Sequence, residues 1–339
     1  MMNWQLCIDG KGLWDKALLT SVDYSVFQAY GWGEFKKDLG WLPKRYWCVD
    51  NAGEIKGMAQ LLIKRLPFGM FIIWAPGGIV LNFGNFCPKD LKRLTLDLIT
   101  KVRSDYPRSS IRFNFTGENN PDLSFNLNQV CSRPYFYLNS GYSVNLKVNQ
   151  PLSIIKKNMS SKHRYYVNLS SKENIDWYLS NENDNLAMLI NIHNQMINEK
   201  NLTLKNVSFD QLRRMRDHLG DNFLVLTGLF DGVPISSCLV LLFGKKAFYM
   251  MASTNNKGRE LSASYAMFAR LIQELNNKNI VDFDFGGIDP KSKSAVGVNY
   301  FKCGFGGKLV EYLGEWESAS SVKIKVAMNV AMQIKSKYL

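Results

Sequence analysis

The sequence predicts an α+β chain of two tandem domains, each a mixed, mostly antiparallel sheet flanked by helices. The prediction rests on two stretches that repeat one order: strand, turn, strand, strand, helix, strand. The first opens with RYWCVD (45–50), turns at Asn51-Ala52-Gly53, and continues through EIKGMAQLLIK (54–64) and MFIIWAPGG (70–78). The second opens with FLVLTGLF (223–230), turns at Asp231-Gly232, and continues through ISSCLVLLF (235–243) and AFYMMAS (247–253). Asn, Asp and Gly suit such turns because they tolerate the backbone angles a hairpin needs. The same order in two distant stretches points to an internal duplication.

The remaining elements follow from periodicity. In the first copy Leu91, Leu94, Leu98 and Val102 share one face of a helix from Pro88 to about Val102, and IRFNF (111–115) closes the unit. In the second, Tyr265, Phe268, Ala269, Ile272 and Leu275 line a helix from Ser262 to about Asn277, and VDFDF (281–285) closes it. Two further helices, 185–200 and 210–219, precede the second meander, and SNENDNLAM (180–188) reads as a loop. A boundary near Gln150-Pro151 gives domains 1–150 and 151–339. The end, VKIKVAMNVAMQIKSKYL, reads as a helix docked on the second domain, with a helix lying in a membrane interface as the alternative.

A hydrophobic content of 46% with 21% charged residues belongs to a globular chain and excludes a disordered one. Six cysteines at 7, 48, 87, 131, 238 and 303 form no CxxC pair, so neither a zinc site nor a disulfide framework is expected. Without a leader or an apolar run of about 18 residues, a soluble cytoplasmic protein is expected, resting at most on the inner face of a membrane. The net charge of +13 points to a polyanionic partner: RNA, anionic lipid headgroups or a phosphorylated small molecule.

The most informative run is FDFGGIDP from Phe283, GVNYFKCGFGG from Gly297 and KLVEYLGEWE from Lys308. Its glycines let backbone approach a ligand closely, since glycine has no β-carbon. Lys302, between Phe301 and Cys303, is read as a cation on a glycine-flanked loop; a surface lysine after a core phenylalanine is the competing reading. Asp284 points opposite to Phe283 and Phe285. It reads either as an acceptor for an incoming amine or as a carboxylate ordering the Gly286-Gly287 turn. Lys162 and Arg164 are candidate phosphate contacts or a basic linker. His163, His193 and His218 are scattered and read as structural or exposed.

These motifs resemble the carboxyl-terminal signature of the FemABX family, aminoacyl-tRNA-dependent transferases that build peptidoglycan cross-bridges, and the wider set of duplicated GNAT-like N-acyltransferases. FQAYGWGEFKKDLGW (27–41) is similar to the family's amino-terminal motif, and MSSKHRYYVNLSSKENI (159–175) resembles the basic entry to its second domain. The resemblance spans nearly the whole length, and only the 283–316 block is specific by itself. The chain looks like the shorter members without a coiled-coil arm. Two helices before an antiparallel meander also match the GNAT order.

The resemblance implies two tandem GNAT-like domains, with Lys302 stabilising the transition state and Phe301 positioning the donor. It implies that Lys36 meets a phosphate of the acceptor, with Trp32 on the same helical face. Lys205 is the nearest cation to a position where family members carry an arginine. Tyr249 and Ser253 lie on the strand where GNAT-like folds open to the donor, although Tyr249 also reads as core. In NNKGRELS (255–262) only Gly258 fits a coenzyme A pyrophosphate cradle, and Glu260 would repel one. The implied activity is transfer of an aminoacyl or acyl group to an amine of a cell-envelope precursor, a phosphorylated or lipid-linked glycan. Aminoacyl-tRNA or acyl-CoA would serve as co-substrate, with no bound cofactor and no metal. An N-acyltransferase acting on an amino sugar of a surface polysaccharide is one alternative. A non-catalytic fold that binds RNA or membrane is another.

Overall fold

The computed structural model describes residues 2–81, 87–200 and 207–337. Two compact units emerge, Met1–Gly141 with Glu311–Leu339, and Tyr142–Val310. In chain order the first unit begins with β1 (Asn3–Leu6), α1 (Lys11–Leu19), α2 (Tyr30–Asp38), β2 (Leu42–Val49) and β3 (Ile55–Arg65). It continues with β4 (Phe71–Gly77), β5 (Val80–Leu81), α3 (Pro88–Asp105), β6 (Ser109–Glu118) and α4 (Pro121–Leu127). The second unit contains β7 (Tyr142–Lys147), α5 (Leu152–Asn158), α6 (Ser161–Ser170), β8 (Asp176–Ser180), α7 (Asn183–Glu199) and α8 (Phe209–Leu219). Then come β9 (Phe223–Phe230), β10 (Val233–Phe243), β11 (Lys246–Thr254), α9 (Asn256–Glu260), α10 (Ala263–Asn277), β12 (Asp282–Ile288) and α11 (Val296–Cys303). β13 (Lys308–Ala319) and α12 (Val322–Lys337) end the chain.

In the first unit the strands run in the order β1-β2-β3-β4-β6-β13. The β2–β3 hairpin turns where expected: Gly53 takes φ +80°, and the Asp50 carboxylate accepts the N–H groups of Ala52 and Glu54. α3 buries Leu91, Leu94, Leu98 and Val102 against β-strand residues such as Ile73, Ile111 and Phe113. Each leucine so buried contributes roughly 1.5–3 kcal/mol. The connection through α3 makes β4 and β6 parallel, and their ladder is complete from Phe71↔Ser109 to Gly77↔Phe115.

The last strand returns to this unit rather than staying with the second. β13 pairs antiparallel with β6 from Tyr312 to Ala319. Arg112 of β6, 2% exposed, bonds Glu315 and Glu317 at 3.2 Å each and Asn329 of α12 at 3.0 Å. The division therefore differs from the sequence-based 1–150 and 151–339, and the terminal helix docks on the first unit, not the second. A pairing between residues two hundred positions apart leaves no local trace in the sequence.

In the second unit the order is β7-β12-β11-β10-β9-β8, antiparallel except for β11 and β12, which α10 connects. α10 packs Met267, Phe268, Leu271 and Ile272 into a core with Phe283, Phe285 and Phe305. SNENDNLAM is not a loop: β8 ends at Ser180 and α7 starts at Asn183. Asn185 is used as a buried clip, its amide donating to the carbonyls of Tyr178, Ser180 and Val225. The order of β2, β3, β4, α3 and β6 recurs as β9, β10, β11, α10 and β12. The copies differ in the pairing of their last strands. The β11–β12 ladder stops after three pairs, at Phe248↔Asp284.

Candidate active site

Where that ladder stops, β12 bulges. Asp284 faces Asn145 and Gly287 faces Ser143, so Phe285 and Gly286 together oppose Val144 alone. Gly286 permits this at φ +71°, and a β-carbon there would lie 2.8 Å from the Tyr249 carbonyl oxygen. The bulge redirects polar groups from the ladder. Asp284 Oδ1 accepts the Gly286 N–H at 2.8 Å, and the Ser143 hydroxyl is shared between that carboxylate and the Gly286 carbonyl. Asp284 therefore orders the turn, one of the two roles its position suggested.

Lys302 is on the helix α11, not on a loop; Gly297 lies in its first turn and Gly304 at its end. The helix is inverted. It exposes Val296, Val298 and Tyr300 and buries its lysine, which is 9% exposed. The ammonium donates to the Gly287 carbonyl at 2.8 Å and lies 5.5 Å from the centre of the Tyr249 ring. Among the described residues one carbonyl takes one of the three N–H bonds an ammonium offers. Gly287 is itself exposed, so the cation lies just under the surface. Burial lowers the lysine pKa from its ordinary value, and the Asp284 carboxylate opposes that shift. Burial also pushes the Tyr249 phenol well above its ordinary value, which keeps it neutral.

Three contacts pin α11. Asn299 grips the Asp289 N–H and carbonyl at 3.0 and 2.7 Å. Phe301, partly buried, packs its ring against the core among Tyr265, Phe268 and Phe305. His163, fully buried, bonds the Phe301 carbonyl through Nε2 at 2.9 Å. A carbonyl can only accept, so Nε2 carries the proton and Nδ1 accepts from the Ser160 hydroxyl at 2.8 Å. A β-carbon on Gly304 would strike the His163 ring at 1.9 Å. Sequence reasoning missed Ser143, Asn299 and the anchoring role of His163; the glycine at 304 was the available signal for the last.

Lys302, Asp284, Gly286, Gly287 and Tyr249 thus converge. Ser253 does not join them: its hydroxyl bonds Nδ1 of His193 on α7 at 2.8 Å, while the Tyr249 ring packs at a tilt against Phe268 of α10. Pairing jumps from Leu239↔Met251 to Val240↔Tyr249, and the bulge at Met250 turns the strand between them. Arg164 donates to the carbonyls of Lys157 and Met159 and so caps α5. Lys162 lies over the Tyr300 ring at 5.6 Å. Lys205 is outside the described residues. Gly258 meets the Ile235 carbonyl, 2.4 Å from a β-carbon built there, so packing explains it, and Asn255 caps α9 at that place.

In the first unit Trp32 is buried on α2, and the Lys36 ammonium lies over three rings: Trp32 at 4.7 Å, Phe35 at 5.0 Å and Trp74 at 5.8 Å. Such faces attract a cation through the ring quadrupole.

The FemAB family model matches residues 179–330. The lipid II:glycine glycyltransferase of Staphylococcus epidermidis is 20% identical over 369 aligned positions, 86% of this chain and 87% of that protein. The enzyme of the same name from Staphylococcus saprophyticus is 28% identical over 90 residues, 26% of this chain and 22% of that protein. Among solved structures, FemX superposes with a TM-score of 0.82 at 16% identity, covering 93% of this chain and 97% of that one. A tandem GNAT protein from the clavulanic acid biosynthesis pathway superposes at 0.56 with 8% identity, covering 95% and 99%. The fold is a tandem GNAT-like one.

Proposed function

We propose that this chain, a FemABX family member, is an acyltransferase that joins an aminoacyl group to an amine of a lipid-linked peptidoglycan precursor. The name shared by the two staphylococcal relatives supports that acceptor class. The observation that carries the chemistry is the inverted α11, which holds a buried ammonium on the carbonyl of Gly287, the exposed glycine that follows the β12 bulge.

In the reaction the amine nitrogen attacks the carbonyl carbon of the donor ester. A C–N bond forms, the C–O bond to the donor breaks, and the proton lost by nitrogen ends on the departing oxygen. Negative charge develops first on the carbonyl oxygen and then on the leaving oxygen. An ammonium held within hydrogen-bond reach, with donors to spare, stabilises both in a poorly hydrated site. The Asp284 carboxylate favours the charged form of that lysine and offsets part of the cost of burial. Lys36, steadied by its aromatic rings, is the candidate contact for a phosphate of the precursor.

The donor in this reading is aminoacyl-tRNA, which the net charge of +13 would attract. The loop where an acyl-CoA enzyme would cradle pyrophosphate is filled by α9, which disfavours that donor. The work would take place at the membrane surface where a lipid-linked acceptor resides. To test this, the protein is incubated with a charged tRNA pool and a lipid-linked muropeptide, and the product is weighed by mass spectrometry. The expected product gains one aminoacyl residue and is lost when the pool is pretreated with RNase. Product from acyl-CoA alone would replace the donor, and no product from any donor would overturn the function.

A further inference from the structure

α12 belongs to the first unit and carries apolar side chains on both its packed and its outward sides. Its packed side carries Ile324, Met328 and Met332 together with Lys325 and Asn329, two polar residues that the fold consumes. Asn329 donates to both Glu317 oxygens at 3.0 Å, and Lys325 bonds Ser132 Oγ at 2.7 Å and pairs with Glu317 at 3.2 Å. The outward side carries Val322, Val326, Val330 and Ile334, which are 73%, 46%, 48% and 54% exposed. Residues four apart lie on one face, so these form a continuous aliphatic stripe.

Beside the helix the chain exposes Tyr135 and Tyr137, and Lys325 lies 4.3 Å from the Tyr135 ring centre. Half-exposed tyrosines are typical of the boundary between hydrocarbon and headgroups. The helix VKIKVAMNVAMQIKSK contains lysines and no carboxylate. No helix among the described residues is long and apolar enough to cross a membrane, so this one could only lie in the plane of a surface.

We propose that α12 docks the protein on an anionic lipid surface, with the Val322–Ile334 stripe entering the headgroup boundary and the exposed Lys323 meeting a lipid phosphate. Charge selects this occupant, because a basic helix on a chain of net charge +13 is drawn to anionic lipid and repels a second copy of itself. Size agrees: four aliphatic side chains fall well short of the ~800 Å² that each partner of a stable protein interface buries. The proposal rests in part on the lipid-linked acceptor, whose headgroup such docking would bring within reach.

The full-length protein is floated with vesicles of phosphatidylcholine alone and of phosphatidylcholine mixed with phosphatidylglycerol, in the absence of any acceptor. Binding to the anionic vesicles is expected, weakened by salt. A Val326→Gln, Val330→Gln double variant should bind at least roughly tenfold more weakly at unchanged melting temperature. Transfer to a water-soluble acceptor analogue should be unchanged in that variant, which separates this proposal from the transferase reading. No binding to anionic vesicles, or equal binding by wild type and variant, would overturn the docking proposal. So would a dimer in light scattering that the double variant dissolves while neither protein binds vesicles.

Discussion

At Lys302 two effects act on one proton: burial weakens the hold and the Asp284 carboxylate strengthens it, burial being the larger. Transfer should therefore decline on the alkaline side at a pH below the ordinary lysine value of 10.5. An Asp284→Asn variant should move the decline to still lower pH, read from the pH profile of kcat; an unmoved profile would remove Asp284 from this role. His163 obeys the same physics with a consequence for stability. Burial depresses its pKa below the ordinary 6.5, so the folded protein keeps it neutral while the unfolded chain takes up a proton. The unfolded state then binds more protons, and stability falls as pH drops below 6.5 until the folded pKa is reached. His193, buried against Ser253, adds to the same slope. Melting temperatures measured across that window check the sign. Gly304→Ala would force a methyl group into the His163 ring and should cost about 1–3 kcal/mol, lowering the melting temperature by several degrees.

Among the elements, the two meanders and their helices were legible because alternation and helical spacing are local signals. RYWCV lies within β2 and FLVLTGLF is β9, and Leu91 to Val102 line a helix, as their spacing implies. β8 was not legible: DWYLS is short, and it pairs with β9 fifty residues away. The bulge was hidden for a related reason. The glycines at 286 and 287 announced an unusual backbone, but not that pairing would skip from Asp284 to Gly287. α11 was misread as a loop because glycines at both ends of a short helix imitate one. Gly286→Ala tests the bulge itself. A β-carbon at φ +71° and 2.8 Å from the Tyr249 carbonyl should shift the strand and lower transfer while leaving most of the fold intact. Unaltered transfer would show that the bulge does not set the position of the ammonium.

For the whole molecule, the return of β13 and α12 to the first unit makes the end of the chain part of its core. Removing residues after Val310 would leave β6 with β4 alone, stripped of its antiparallel partner, and Arg112 without Glu315 and Glu317. Losing the partner of a buried charge costs about 3–5 kcal/mol, so the truncated protein should melt far lower or fail to fold. The duplication also leaves one open ladder, at β11 and β12, and one closed, at β4 and β6.

The claim on which all of this depends is that the Lys302 ammonium stabilises developing negative charge. The most direct measurement compares Lys302→Met with wild type in single-turnover transfer and in donor binding. The account predicts a loss of about 10²–10³-fold in the transfer rate with binding retained. A variant that transfers at the wild-type rate, or that loses only affinity, would contradict it.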